Sequence, residues 1–217
     1  TGSPGNGRDD LLNQMREHTT FNYHHLFEYI VEEARLDDTT LTKLNILDFY
    51  DSSPQCMATY HKAAIHKIAR EIERRPGAHI ISTPLHFEWK GNRFQGLHDD
   101  EIQTLNPDTI IIIFDDILRV RKRLTQDNQW QGHTFTLGEI ANWRREEIKL
   151  AYDHAKLFTP RPEVQLVAYE NGPELLQDVI WSHGREKVYL SHPITGESET
   201  MLNDIYEFGN TLSEYYV

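Results

Sequence analysis

Apolar positions recur every three or four residues along most of this chain, interrupted by three short runs in which nearly every residue is apolar. The first pattern marks one buried stripe of a helix, and the second suits a strand covered on both faces. Leu11, Leu12 and Met15 predict a helix over 9–17, and a short β-prone stretch follows at 19–23. Leu26, Phe27, Ile30, Val31 and Ala34 share a stripe that predicts a helix over 24–34. Pro54 opens a long helix through Ala63, Ala64, Ile68 and Ile72 that stops at Pro76-Gly77, because proline suits a first helical turn and cannot continue one. Helical spacing returns at 99–105, 117–124, 137–157, 173–183 and 201–215. The apolar runs are 78–83, 109–114 and 164–168.

Strands alternating with helices predict an α/β fold in three layers around a doubly wound parallel sheet. Residues 1–183 hold this pattern. After Gly184 a new strand, Val188-Tyr189-Leu190, and the helix at 201–215 read as an incomplete second α/β unit or C-terminal extension over 184–217.

Composition narrows the function classes. The 22 Lys+Arg against 34 Asp+Glu leave a net charge of −12, so nucleic acid and an acidic membrane are not expected partners. The longest apolar run, 109–114, is far short of the ~20 residues of a membrane span, and no leader opens the chain. A cytoplasmic protein is expected. The single cysteine, Cys56, can form neither an intrachain disulfide nor a cysteine zinc site. His61 and His66 are five residues apart, so on a helix they diverge by about 140° and no metal site is expected from them.

The candidate chemistry lies at the front. Gly2-Ser3-Pro4-Gly5-Asn6-Gly7-Arg8-Asp9 has the spacing of the phosphate-binding loop, in which Gly and four residues precede Gly, Lys and Ser or Thr. In that loop glycines let backbone amides wrap the phosphates, Lys supplies a cation and the hydroxyl holds Mg²⁺. Here Arg8 stands for Lys and Asp9 for the hydroxyl. Arg8 keeps the charge on a larger, forked group, and Asp9 sets a carboxylate beside the phosphates. On this reading Gly2, Gly5, Asn6, Gly7, Arg8 and Asp9 form the nucleotide-binding set, and the strand feeding the loop would lie before Thr1. A Gly/Pro-rich start is equally what a flexible tail looks like.

Phe21-Asn22-Tyr23, Gly96-Leu97, Leu105-Asn106-Pro107-Asp108 and the Ile110 to Ile113 strand resemble the archaeal type of adenylate kinase, within the P-loop nucleotide kinases. The resemblance spans residues 1–183 in element order. It implies a sheet of order 2-3-1-4-5 with ligands at the carboxyl ends of the strands. It also implies a lid after the fourth strand, where Arg119, Arg121, Arg123, Arg144 and Arg145 stand. Arginines there clamp a transferring phosphoryl group, so Arg8, Arg121, Arg123 and Arg144 are the catalytic candidates. A solvated helix face and intrahelical ion pairs account for the same arginines. His18, Asn22, Tyr23 and His24 lie where the family binds its acceptor.

ATP is the implied cofactor and a nucleotide or nucleoside the implied partner. Mg²⁺ is left open, because the family's carboxylate at the end of the third strand is Ser82 here. Phosphoryl transfer is therefore expected to be impaired, and a catalytically inactive scaffold is the alternative. Residues 187–196, Lys-Val-Tyr-Leu-Ser-His-Pro-Ile-Thr-Gly, resemble the first strand and loop of nucleoside 2-deoxyribosyltransferase-like domains. A terminal hairpin or an added strand reads equally well. A homo-oligomer is compatible with all of this.

Overall fold

A computed structural model describes residues 1–130, 133–181 and 199–213. The chain divides into two compact units, Thr1–Pro173 and Glu174–Val217. The second strand expected at 188–190, and with it the resemblance at 187–196, lies outside the described residues.

The first unit begins with α1 (Arg8–Arg16), β1 (Asn22–His25), α2 (Leu26–Leu36), α3 (Ile46–Ser52) and α4 (Pro54–Arg74). Next come β2 (His79–Ser82), β3 (His86–Trp89), β4 (Asn92–Gln95), α5 (Asp99–Leu105) and β5 (Thr109–Phe114). It continues with α6 (Ile117–Gln126), α7 (Leu137–Ala155), β6 (Glu163–Ala168) and the start of α8 (Gly172–Trp181). In the second unit α9 spans Glu199–Ser213.

Helix starts follow local chemistry. Pro54 occupies the first turn of α4, and the Asp116 carboxylate caps α6 by accepting from the amides of Leu118 and Arg119. Thr136 and Glu139 form a reciprocal capping box at α7, which satisfies two amides that otherwise lack partners. Along α4 the buried residues Met57, Tyr60, His61, Ala64, Ile65 and Ile68 fall at three- and four-residue intervals. They meet Ile30 and Ala34 of α2 and Ile102 and Leu105 of α5 in one apolar core. Each buried isoleucine contributes roughly 1.5–3 kcal/mol by leaving water.

The strands form a parallel pair β1-β2, an antiparallel pair β3-β4 and a parallel pair β5-β6. Asn22 pairs with His79 and His25 with Ser82 in the first, Thr109 with Glu163 and Phe114 with Ala168 in the last. Thr1 runs beside β5: its backbone nitrogen donates to Ile111 O at 2.6 Å, and its carbonyl accepts from Ile113 N at 2.9 Å. Backbone groups alternate edges along a strand, so Thr1 holds the β5 edge opposite β6. It is tied toward β2 by Gly2, whose carbonyl accepts from Arg8 while Arg8 also reaches Ser82. The two parallel pairs are separate in their backbone hydrogen bonding, with Thr1 on the side of β5 away from β6 and Arg8 linking the loop to Ser82 at the end of β2.

Two elements go beyond the periodicity. Helix α3 is seven residues long, too short for a stripe to repeat. The β3-β4 hairpin has four-residue strands joined at Lys90 and Gly91, whose φ values of 50° and 80° match the two left-handed positions of a tight hairpin turn.

Candidate functional site

The loop from Gly2 to Gly7 connects the Thr1 backbone to the N-terminus of α1. Gly2, Gly5 and Gly7 have φ of 144°, 80° and 84°, in the region that side-chain-bearing residues rarely occupy. Space enforces the same choice. A Cβ on Gly7 would stand 2.6 Å from the Tyr169 ring, and one on Gly5 would stand 2.8 Å from Leu124 Cγ. Asn6 is buried, and its side-chain nitrogen donates to the carbonyl of Ile113 while its oxygen accepts from Arg8 N at 3.1 Å. This pins the loop to the carboxyl end of β5. The amides of Gly5, Gly7 and Asp9 meet no acceptor among the described residues. Such amides at a helix N-terminus suit an anion.

Arg8 folds inward, its side chain 11 % exposed. Its Nε donates to Ser82 Oγ at 2.7 Å and to Asp9 Oδ1 at 3.1 Å, Nη2 donates to Asp9 Oδ2 at 3.2 Å, and Nη1 donates to Gly2 O at 3.1 Å. Asp9 also accepts from the Ser82 hydroxyl and, at 3.3 Å, from Tyr23 OH, and its Oδ2 lies 3.4 Å from His25 Nε2. Burial pushes the Asp9 carboxyl up, but the Arg8 charge and the hydrogen bonds from His25, Arg8 and Ser82 outweigh it and hold Asp9 far below the usual carboxylate range. Burial, and then the Asp9 charge, raise the Tyr23 phenol to about 12.

The loop opens on a cleft of about 320 Å³ at the carboxyl ends of β1 and β2. Ser3 to Asp10 form its floor, and Phe27, Ile30, Tyr50, Phe87 and Trp130 line apolar walls with Lys43, Thr83, His61 and Gln129. Lys43 is exposed and has no ion pair among the described residues. Burial pushes the Tyr50 hydroxyl well above its ordinary value, with the Glu101 charge adding to it, so Tyr50 itself adds no charge to the wall.

The predicted lid arginines part company. Arg123 lines the cleft: its Nη1 donates to Gly5 O at 3.1 Å, pairs with Asp115 Oδ2 at 2.7 Å, and its guanidinium lies 4.4 Å over the Tyr169 ring. Arg121 is exposed, with no ion pair among the described residues, and does not line the cleft. Arg144 donates to the carbonyl of Asp115 and covers the Phe114 ring. Arg119 pairs with Asp115 and Glu170, and Arg145 with Glu146.

Of the residues expected on the acceptor side, His18, Asn22, Tyr23 and His24 do not line the cleft, whereas His25 does. His24 is buried between Tyr29 OH at 2.8 Å and His79 Nδ1 at 2.9 Å. Gly96 belongs to the cleft wall and to the frame. Its amide donates to Leu85 O at 2.8 Å, its carbonyl faces His61 Nε2 at 2.9 Å, and His61 Nδ1 sits 2.7 Å from Glu101. Burial raises the Glu101 carboxyl, but the His61 hydrogen bond and charge bring it below its ordinary value.

Two residues that sequence reasoning passed over hold the site together. Asp115, buried at the end of β5, pairs with Arg119 Nε at 2.9 Å and with Arg123. Glu147 of α7 is buried and gathers the amides of Gly2 and Leu85, each at 2.9 Å, the amide of His86 at 3.2 Å and the Thr1 hydroxyl. Burial pushes Glu147 up, yet the hydrogen bonds from His86, Thr1 and Leu85 keep it below the ordinary carboxylate value. The Asp115-Asp116 pair just after an isoleucine-rich strand was a legible signal. Nothing separates Glu147 from its neighbours in Arg144-Arg145-Glu146-Glu147.

Mg²⁺ accepts near-octahedral oxygen ligands at about 2.0–2.1 Å. Asp9, the residue in the hydroxyl's place, already receives Arg8, Ser82 and Tyr23, with His25 adjacent. Among the described residues no group of three or more His, Cys, Asp or Glu side chains is arranged to hold a metal. The free amides of the loop suit a phosphate, whereas Asp9 has both carboxylate oxygens already engaged and is poorly placed to receive the metal in the hydroxyl's stead.

No protein-family model and no curated protein matches the chain. Among solved structures it is similar to the crystal structure of shikimate kinase from Bacteroides thetaiotaomicron. The two are 14 % identical with a TM-score of 0.50, over 82 % of this chain and 94 % of that one. The chain thus shares the α/β fold of that structure, with parallel strand pairs and helices packed around them.

Proposed function

We propose that the chain is a nucleotide-binding protein of the nucleoside and nucleotide kinase lineage with a degenerate phosphate loop, in which phosphoryl transfer from ATP is impaired. The observation that carries this reading is the loop itself. Gly2, Gly5 and Gly7 take positive φ, and Gly5, Gly7 and Asp9, whose amides meet no acceptor among the described residues, line one cleft at the carboxyl ends of parallel strands. Phosphate would rest on those amides, with Arg123 and Lys43 also lining the cleft, and the apolar walls would receive a nucleoside.

Impairment follows from Arg8. A cation that already donates to Asp9, Ser82 and Gly2 O must break those bonds before it can meet developing charge, whereas electrostatic catalysis depends on donors that need no rearrangement. Arg121 and Arg144 stand away from the cleft and would act on a transferring group only after a lid movement. The same lock favours a second reading, an inactive domain that serves as a scaffold for the segment beyond 183.

Thermal unfolding with millimolar ATP, ADP, AMP and adenosine separates the two. Nucleotide binding raises the melting temperature, and Gly7→Val, which drives a side chain into Tyr169, removes the rise. No shift with any of the four would overturn the nucleotide reading. Transfer from γ-labelled ATP to AMP or nucleosides, expected to be very slow, tests the impairment.

A further inference from the structure

Both oxygens of the Asp9 carboxylate are taken by donors of this chain, and we infer that the cleft takes nucleotide phosphates as the free anion and not as a magnesium complex. This rests on the nucleotide reading above and adds the form of the ligand.

The Arg8 fork meets both Asp9 oxygens, at 3.1 and 3.2 Å. The Ser82 hydroxyl accepts from Arg8 Nε and donates to Asp9, so each of the three is committed to the other two. Tyr23 and His25 close the remaining side. A divalent cation at Asp9 would face the Arg8 guanidinium and have to displace the donors that now hold both carboxylate oxygens. The chain thus carries, as the Arg8–Asp9 ion pair, a neutral unit in the place of lysine, hydroxyl and metal.

The cleft as a whole is balanced too. Arg8, Lys43 and Arg123 line it with Asp9, Asp10 and Asp127, three formal charges of each sign. A ligand's charge is met by the loop amides and by Lys43, which has no ion pair among the described residues, with Arg123, already paired with Asp115, at the margin; none of these coordinates metal. Ligands with fewer phosphate charges are accommodated best, so affinity should run AMP, then ADP, then ATP.

Calorimetric titration of the full chain with AMP, ADP and ATP, in EDTA and in millimolar MgCl₂, tests this. Binding in EDTA should equal or exceed binding in MgCl₂ for every nucleotide. Strengthening by Mg²⁺ beyond about threefold, or roughly 0.65 kcal/mol at room temperature, overturns the inference and leaves the nucleotide reading intact. No heat in either buffer overturns both. Asp9→Ser restores a hydroxyl and releases Arg8; it should bring a Mg²⁺ preference of about tenfold. Asp9→Asn keeps the shape of the carboxylate without its charge and should tighten metal-free binding. A variant that loses its melting transition is set aside, because the wild-type comparison decides the question alone.

Discussion

Glu147 ties the loop entrance to the hairpin through a single carboxylate. Because the amides of Gly2, Leu85 and His86 all point at it, Glu147→Gln would turn an NH₂ toward at least one of them. It should cost about 1–3 kcal/mol, the range for orphaning a buried polar group, read as a lower urea midpoint. The histidines set a pH response at the same scale. Burial, and then His79, lower the His24 pKa, and burial lowers that of His154 despite Asp99 nearby. His154 is buried, with Asp99 Oδ1 at 3.4 Å and, among the described residues, no aligned hydrogen bond to either ring nitrogen. Both groups are held neutral by the fold, so the unfolded chain takes up the protons first. Their contribution is complete above the ordinary histidine value of 6.5 and is lost as pH falls through 6.5 and on through the lower folded values. The melting temperature should drop between neutral pH and mildly acid pH, and the drop should be shallower in His154→Leu.

At the scale of elements, the turn at Gly96 sets how the β3-β4 hairpin returns to α5. A Cβ there would lie 1.9 Å from the Pro84 carbonyl oxygen, a backbone atom with no rotamer to retreat to. Gly96→Ala should therefore cost about 3 kcal/mol or more, while Gly91→Ala, whose Cβ would meet nothing within 4 Å, should cost only the strain of its left-handed φ, about 1 kcal/mol. Chemical denaturation of the two variants side by side checks the contrast, and equal losses would contradict it. The Gly96-Leu97 pair that suggested a kinase resemblance thus also has a steric explanation. His61 and Glu101 then clamp the same turn from α4 and α5.

For the whole molecule, the charge of −12 is spread over a chain of 217 residues, and like charges that repel across the surface favour the unfolded state. Added salt screens them over a Debye length of about 10 Å at 0.1 M. Raising NaCl from low to half-molar should increase the melting temperature by a few degrees, whereas a protein held mainly by exposed ion pairs would lose stability. The cleft itself is charge-balanced, so the same salt change should weaken nucleotide binding less than it would at a cationic site.

The order of strands and helices was readable from the chain because burial on one face or both leaves a period of 3.6 or an unbroken apolar run, as in α4 and β5. Glycine spacing at 2, 5 and 7 was readable too, since left-handed turns leave little choice of residue. Which groups meet was not. The fold of Arg8 back onto Asp9 and Ser82, the arrival of Glu147 from α7 at the loop entrance, and the pairing of Arg123 with Asp115 and Gly5 rest on contacts between residues up to 146 positions apart. Periodicity records only whether a side chain is buried, and it carries no trace of the partner that the packed elements bring against it.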